Sequence, residues 1–271
     1  MKKILILAMA SSMFFVSCKD DAVTPTPGGT GGGSGFITAE TQQAVGFYFS
    51  GNWCGPCGAY GKPAIKNMSN KYGDKFIYVS SQLNQSASVK DPFNNADANA
   101  MAAAFGISAV PTMFVGGNGD QFQSVSGGTT METTLDGFIS TNLAKTPQAN
   151  LLVKPVFENG AVSVAVSAEF FAETDLEYSV GCYLIEDKLM AKQASSGETI
   201  SEFNHILRMK LSSNVTGDAL PIGTKPKGHV DKMTFGDFVQ SSWKTENLRV
   251  VTVLWVKNAQ GLVAAVNAVV N

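Results

Sequence analysis

The spacing of apolar and polar residues divides the chain into two stretches of different character. Between positions 36 and 148 the apolar runs are short and separated by segments able to form helices. Ala44-Val45-Gly46-Phe47-Tyr48-Phe49 reads as a strand, the segment that ends near Tyr72 as a helix, 76–80 as a second strand and 98–105 as a second helix. After Thr146-Pro147 the period changes to two. Val162, Val164, Val166, Ala168 and Phe170 alternate with Ser163, Ala165, Ser167, Glu169 and Phe171, the signature of a half-buried strand. Similar runs occupy 176–186, 203–211, 248–257 and 262–270, with shorter ones at 151–157 and 230–238, joined by loops rich in Gly, Pro, Ser and Asn. The pattern predicts an α/β domain over 36–148 and an all-β, immunoglobulin-like sandwich domain over 149–271.

The opening residues lie outside this scheme. Lys2 and Lys3 precede an apolar run that ends in Phe15-Val16-Ser17-Cys18, with the charge, length and small-residue finish of a secretory signal over 1–17. The run is too short to span a bilayer as a mature helix. A cysteine placed directly after the small residue resembles the lipobox of bacterial lipoproteins, although Phe15 stands where leucine is usual. That resemblance implies a cleaved chain acylated on Cys18, the alternative being an ordinary signal with an incidental cysteine. Lys19-Asp20-Asp21 resembles the signal that directs Bacteroidetes lipoproteins to the cell surface. The expected location is therefore the outer membrane, surface-exposed, with its periplasmic face as the alternative. Thr24-Pro25-Thr26-Pro27 and the glycine-rich run to Gly35 complete a flexible tether over 18–35, with a reach of about 20 Å.

Composition narrows the function classes. The chain has 271 residues, 44% hydrophobic and 15% charged, and the roughly 235 beyond the tether can bury proper cores. Without the signal, 18 basic residues face 22 acidic ones, a net charge of about −4, and no basic run occurs in the body. Nucleic acid is not an expected partner. The lipid on Cys18 is the one membrane contact inferred. With Cys18 acylated, Cys54, Cys57 and Cys182 remain, too few for a disulfide-stapled scaffold. No cofactor and no metal are expected, since a zinc site needs four ligands and no second CxxC or close Cys/His pair exists.

The candidate chemistry lies in Ser50-Gly51-Asn52-Trp53-Cys54-Gly55-Pro56-Cys57, set between the first strand and the first helix. Two cysteines spaced by two residues at a helix start can close a small disulfide ring, and the positive helix end favours the thiolate of the first. On this reading Cys54 is the exposed attacking sulfur and Cys57 the recessed resolving one. Trp53-Cys54-Gly55-Pro56-Cys57 matches the active-site pentapeptide of the thioredoxin family. The segment from Ala104 to Val115, with Val110-Pro111-Thr112, resembles the thioredoxin stretch in which a cis-proline opens a central strand. The resemblance implies a thioredoxin-like fold for 36–148, catalytic Cys54 and Cys57, and a substrate groove framed by Trp53, Gly55, Pro56, Val110 and Pro111. Glycines at 116, 117 and 119 suit the following hairpin.

Departures from the family carry their own expectations. Tyr48 occupies the position of the buried acid that usually accepts a proton from the resolving thiol. Gly58 and Gly61 each cost a helix interior about 1 kcal/mol relative to alanine. Pro63 stands one residue later than in the family, which predicts a local bulge. The Ser/Asn/Gln-rich connection 84–97 reads as an insertion rather than a groove-shaping loop. Cys182 reads as a small buried residue, and His205, assigned to the 203–211 strand, as a structural histidine. His229 is too isolated to interpret.

Signal, redox module and β domain together resemble the Bacteroidetes lipoproteins related to outer membrane protein 28. The functional expectation is a membrane-anchored, extracytoplasmic thiol-disulfide oxidoreductase acting on protein thiols or disulfides. The competing expectation is a binding or adhesion lipoprotein with a static disulfide. In either case the β domain is expected to take a protein or glycan ligand.

Overall fold

The structure, a computed structural model, describes residues 37–116, 123–128, 130–257 and 263–271. The signal, Cys18, Lys19-Asp20-Asp21 and the tether all fall outside the described residues, as do Gly117 and Gly119.

The α/β portion runs β1 (Ala44–Ser50), α1 (Lys62–Tyr72), β2 (Phe76–Gln82), α2 (Ala96–Ala104), β3 (Thr112–Gly116), β4 (Gln123–Ser126) and α3 (Met131–Leu143). β1 lies between β2, which runs parallel to it, and β3, which runs antiparallel and pairs in turn with β4. Every residue of β1 is buried, because both of its faces are covered. On one face α1 contributes Ala64, Ile65 and Met68, and α3 contributes Met131, Leu135 and Ile139 at a spacing of four, to a core that includes Tyr48 and Met113. On the other face α2 brings Ala98, Met101 and Ala102 against Phe47, Phe49 and Val79. α2 begins where the Asn95 side chain accepts from Ala98 N at 2.8 Å, a side-chain N-cap.

The β portion comprises β5 (Ala149–Glu158), β6 (Ala161–Phe170), β7 (Glu177–Glu186), β8 (Leu189–Ala191), β9 (Ser201–Phe203), β10 (Ile206–Lys210), β11 (Asp218–Ala219), β12 (Val230–Phe238), β13 (Leu248–Lys257) and β14 (Val263–Val270). β5, β6 and β12 form one sheet, and it packs against β7, β13 and β14 to make the sandwich. Period-two alternation holds in β6, where Val162, Val164, Val166 and Ala168 face that core.

One sheet of the sandwich continues the thioredoxin-like sheet, in the order β14-β13-β7-β10-β2-β1-β3-β4. The join is small: Ser80 N donates to His205 O at 2.8 Å, and Ile206 pairs with Ser80. The sheet curls so that β14 meets β3. At Gly116 a Cβ would stand 2.6 Å from Ala265 Cβ, so only glycine permits the approach. Inside the curl, fully buried Trp255 stacks on Phe47 at 5.1 Å and donates to Tyr183 Oη at 3.2 Å. The two portions thus share a core, and Gly35–Asn271 forms one compact unit.

One expectation is corrected here and another takes definite form. The 203–211 run is not one strand: β9 ends at Phe203 and β10 begins at Ile206 in a different sheet. The chain turns at His205, whose φ of 56° is left-handed, a region few residues other than glycine enter. The helix after the motif, in turn, opens with a π-helical turn, Cys57–Gly61, before α1. This is the bulge that the displaced Pro63 implies.

Candidate redox site

Cys54 and Cys57 are joined in a disulfide at the entry to the first helix, with Cα atoms 5.2 Å apart. Cys57 N lies 3.1 Å from Cys54 Sγ, so a thiolate there would meet a helix-terminal N–H. The Val110-Pro111 peptide is cis, and Val110 O stands 3.7 Å from Cys54 Sγ. The elements thus bring Trp53, Cys54, Cys57, Val110 and Pro111 together, and Pro56 at the turn is exposed.

The site departs from the sequence expectation in one decisive respect. Cys54 is only 3% exposed, and Cys57 is fully buried. The cover is the connection between β8 and β9. Ala194 N donates to Asn52 O at 2.8 Å, and the buried Gln193 amide donates to Cys54 O at 3.0 Å and to Gly51 O and Asn52 O at 3.3 Å. The backbone that carries the expected exposed sulfur is therefore packed against a segment about 140 residues further along the chain.

Glycines make this cover fit. A Cβ at Gly58 would sit 1.9 Å from Ala194 O, and one at Gly55 would sit 3.1 Å from Ser195 Oγ. A Cβ at Gly61 would stand 2.3 Å from Tyr48 Oη and 3.2 Å from Pro111 Cβ. The helix-propensity cost of Gly58 and Gly61 is thus the condition for close packing on both sides of the motif.

The connection after β2, expected to be an insertion, holds the motif from the other side. Trp53 Nε1 donates to Leu83 O at 2.7 Å. Asp91, 5% exposed, accepts from Asn52 N at 2.7 Å and from Phe93 N at 2.8 Å. Burial raises the Asp91 carboxyl, while these two N–H groups oppose the shift. Asn95 Nδ2 donates to Leu207 O at 2.7 Å, and Phe93 packs against Phe203 with ring centroids 5.3 Å apart, so the loop also braces the hairpin that carries the cover. Neither Asp91 nor Gln193 carries a local signal, since each sits in an ordinary polar loop.

The other candidates are quiet. Burial pushes the Tyr48 phenol up to about 12, so it stays protonated and is no substitute for a carboxylate base. The Cys182 thiol is buried 3.8 Å from Thr252 Oγ1 and likewise pushed up to about 12, which makes it inert. Among the described residues no three side chains gather as a metal cluster, and no helix is long and apolar enough to cross a membrane.

Comparison with known proteins agrees with this architecture. The family model for outer membrane protein Omp28 matches residues 98–271, more than half of the chain. The chain belongs to the Omp28 family. The thioredoxin model matches 36–141, so the two matches overlap across α2, β3, β4 and α3, as the shared core leads one to expect. HBP35 of Porphyromonas gingivalis is similar in fold, with a TM-score of 0.63 at 17% identity, covering 86% of this chain and 76% of that one. An Agrobacterium tumefaciens protein is similar at a TM-score of 0.51 and 14% identity, over 86% of this chain and 95% of its own. No curated protein matches. This Omp28 family member therefore combines a thioredoxin-like fold, a Cys54–Cys57 disulfide and a β sandwich in one body.

Proposed function

We propose that the chain is an extracytoplasmic thiol-disulfide exchange protein of the outer membrane, tethered by lipid on Cys18 and directed to the surface by Lys19-Asp20-Asp21. The observation that carries the reading is the Cys54–Cys57 disulfide at a helix start beside Val110 and Pro111. In the exchange, a partner's thiolate attacks Cys54 Sγ, the Cys54–Cys57 bond breaks, and Cys57 leaves as a thiolate. A second partner thiolate then attacks the partner's own sulfur in the mixed disulfide and releases Cys54. The partner gains a disulfide, and this chain takes up its two electrons. The reverse sequence reduces a partner. Trp53, Gly55, Pro56, Val110 and Pro111 form the proposed partner groove, and the Gln193–Ala194 cover must lift for it to be used.

The depth of Cys54 favours a second reading, in which the disulfide is a permanent brace and the body is a binding lipoprotein. The two separate in a disulfide-reduction assay on the full chain. The exchange reading expects turnover that Cys54→Ser abolishes; equal rates in the two proteins would leave only the static brace.

A further inference from the structure

Ile37 and Thr38 are held at one end of the sandwich. Ile37 N donates to Glu169 Oε1 at 2.9 Å, and Thr38 N and Oγ1 donate to Glu169 Oε2 at 2.6 and 2.7 Å. Glu169 stands one residue from the end of β6 and pairs with Val230, the first residue of β12. The 171–176 and 220–229 connections leave their strands at this same end. They are tied together: Thr174 N donates to Lys225 O at 3.0 Å, and Lys225 N donates to Thr174 O at 2.7 Å.

Three large apolar side chains are exposed at this end, Ile222 by 86%, Ile37 by 54% and Leu176 by 42%. The loop that carries Ile222 is braced from within. The buried Lys225 ammonium donates to Pro221 O at 2.7 Å and pairs with buried Asp231 at 2.7 Å. Burying such a pair costs desolvation, yet the loop it fixes presents an isoleucine to water. Apolar side chains gathered at one end, on braced loops, mark a contact surface.

The occupant follows from where the chain enters the body. Eighteen residues separate Cys18 from Ile37, and a Gly/Pro/Thr-rich run of that length reaches about 20 Å. From Val230 to Phe238 β12 rises about 26 Å, so the opposite end of the sandwich lies farther from Ile37 than the tether reaches. Within that reach the bilayer is present at high effective concentration, and a small apolar contact suffices. The exposed charges around the loops are of both signs, Glu173, Asp175 and Glu177 against Lys227 and Lys257, with Glu177 and Lys257 paired at 3.3 Å. Mixed charge suits zwitterionic headgroups better than a strongly anionic surface. We propose that this end of the sandwich docks on the lipid surface, with Ile222 inserted and Leu176 and Ile37 beside it. The docking rests on the acylation of Cys18 proposed above and is independent of thiol exchange.

The test uses the full acylated chain in phosphatidylcholine vesicles, with the acyl chains plain or brominated, and compares Ile222→Trp with Phe238→Trp. Phe238 is 79% exposed, so neither replacement disturbs the core. Interfacial side chains sit about 5–10 Å into the boundary between headgroups and acyl chains, so the emission that Ile222→Trp adds to that of the unmodified chain should fall at least about twofold on bromination. The emission added by Phe238→Trp should be unchanged. The mass of the N-terminal peptide reports acylation separately. In an acylated chain, unquenched Ile222→Trp emission would overturn the docking and assign this end to a protein partner, and equal quenching of the two variants would overturn it as well; both results leave the anchor in place. A Cys18 without lipid would remove the anchor and the docking together.

Discussion

Replacing Gly58 with alanine tests the cover at its tightest point. The new Cβ would fall 1.9 Å from Ala194 O, 2.9 Å from Gln193 Cγ and 3.0 Å from Ser196 N, and two of these are backbone atoms that cannot rotate away. The segment must therefore lift, losing the bonds from Ala194 N to Asn52 O and from Gln193 Nε2 to Cys54 O. Two such bonds, at about 0.5–1.5 kcal/mol each, weaken the covered state by about 2 kcal/mol. Alanine's better helix propensity, about 1 kcal/mol, is present with the cover open or closed, so it offsets the loss in global stability but not in the opening equilibrium. If reduction of the disulfide proceeds through opening, a shift of about 2 kcal/mol raises the rate roughly 30-fold. The assay is the pseudo-first-order rate of reduction by excess dithiothreitol, followed by alkylation and mass spectrometry, with the urea midpoint measured in parallel. A variant that is reduced at the unmodified rate would refute the idea that 193–196 controls access to Cys54.

Other substitutions probe the frame around the site. Trp255→Ala removes a fully buried ring stacked on Phe47 and should cost about 3–5 kcal/mol in urea unfolding, in a single transition; two separate transitions would contradict the shared core. Asp91→Ala leaves the Asn52 and Phe93 N–H groups without their acceptor and should cost about 2–4 kcal/mol by the same measurement, whereas a change below about 0.5 kcal/mol would remove Asp91 from the support of the motif. His205 is held below the ordinary imidazole range chiefly by burial, with Arg249 reinforcing the shift and Asp187 opposing it. The unfolded chain then binds the proton more readily, so the stability this group contributes is complete above about pH 6.5 and is lost as pH falls through the lower folded value. His205→Asn, which tolerates the left-handed backbone, should flatten that part of the pH–stability profile, and an unchanged slope would assign the loss to another group.

Much of the fold was legible because period-two alternation survives wherever a strand has one covered face. The 230–238 and 248–257 runs coincide with β12 and β13, and 162–171 is displaced from β6 by one residue at each end. The site turn and its π-helical bulge were legible from the pentapeptide and the displaced Pro63. The break at His205 was not, since Phe203, Leu207, Met209 and Leu211 keep the alternation of one strand while the left-handed φ leaves no trace in residue type. The cover was illegible for a different reason. Gln193 and Ala194 sit in a polar loop, and their contacts with Asn52 and Cys54 join positions about 140 residues apart. Gly58 and Gly61 did stand out in the sequence, but as a helix cost, because the groups that need their space come from elsewhere in the fold. Asp91 was hidden in the same way, by a Ser/Asn/Gln-rich loop whose composition gives no hint that one carboxylate is buried under the motif.

The central question is whether Cys54 and Cys57 exchange electrons from beneath their cover. Equilibrating the full chain in glutathione buffers spanning reducing to oxidising ratios, then trapping and weighing the alkylated protein, measures this directly. A reversible two-electron transition is expected, reached from both the reduced and the oxidised side and abolished by Cys54→Ser. A disulfide that stays closed across the whole range, even after prolonged equilibration, would contradict it.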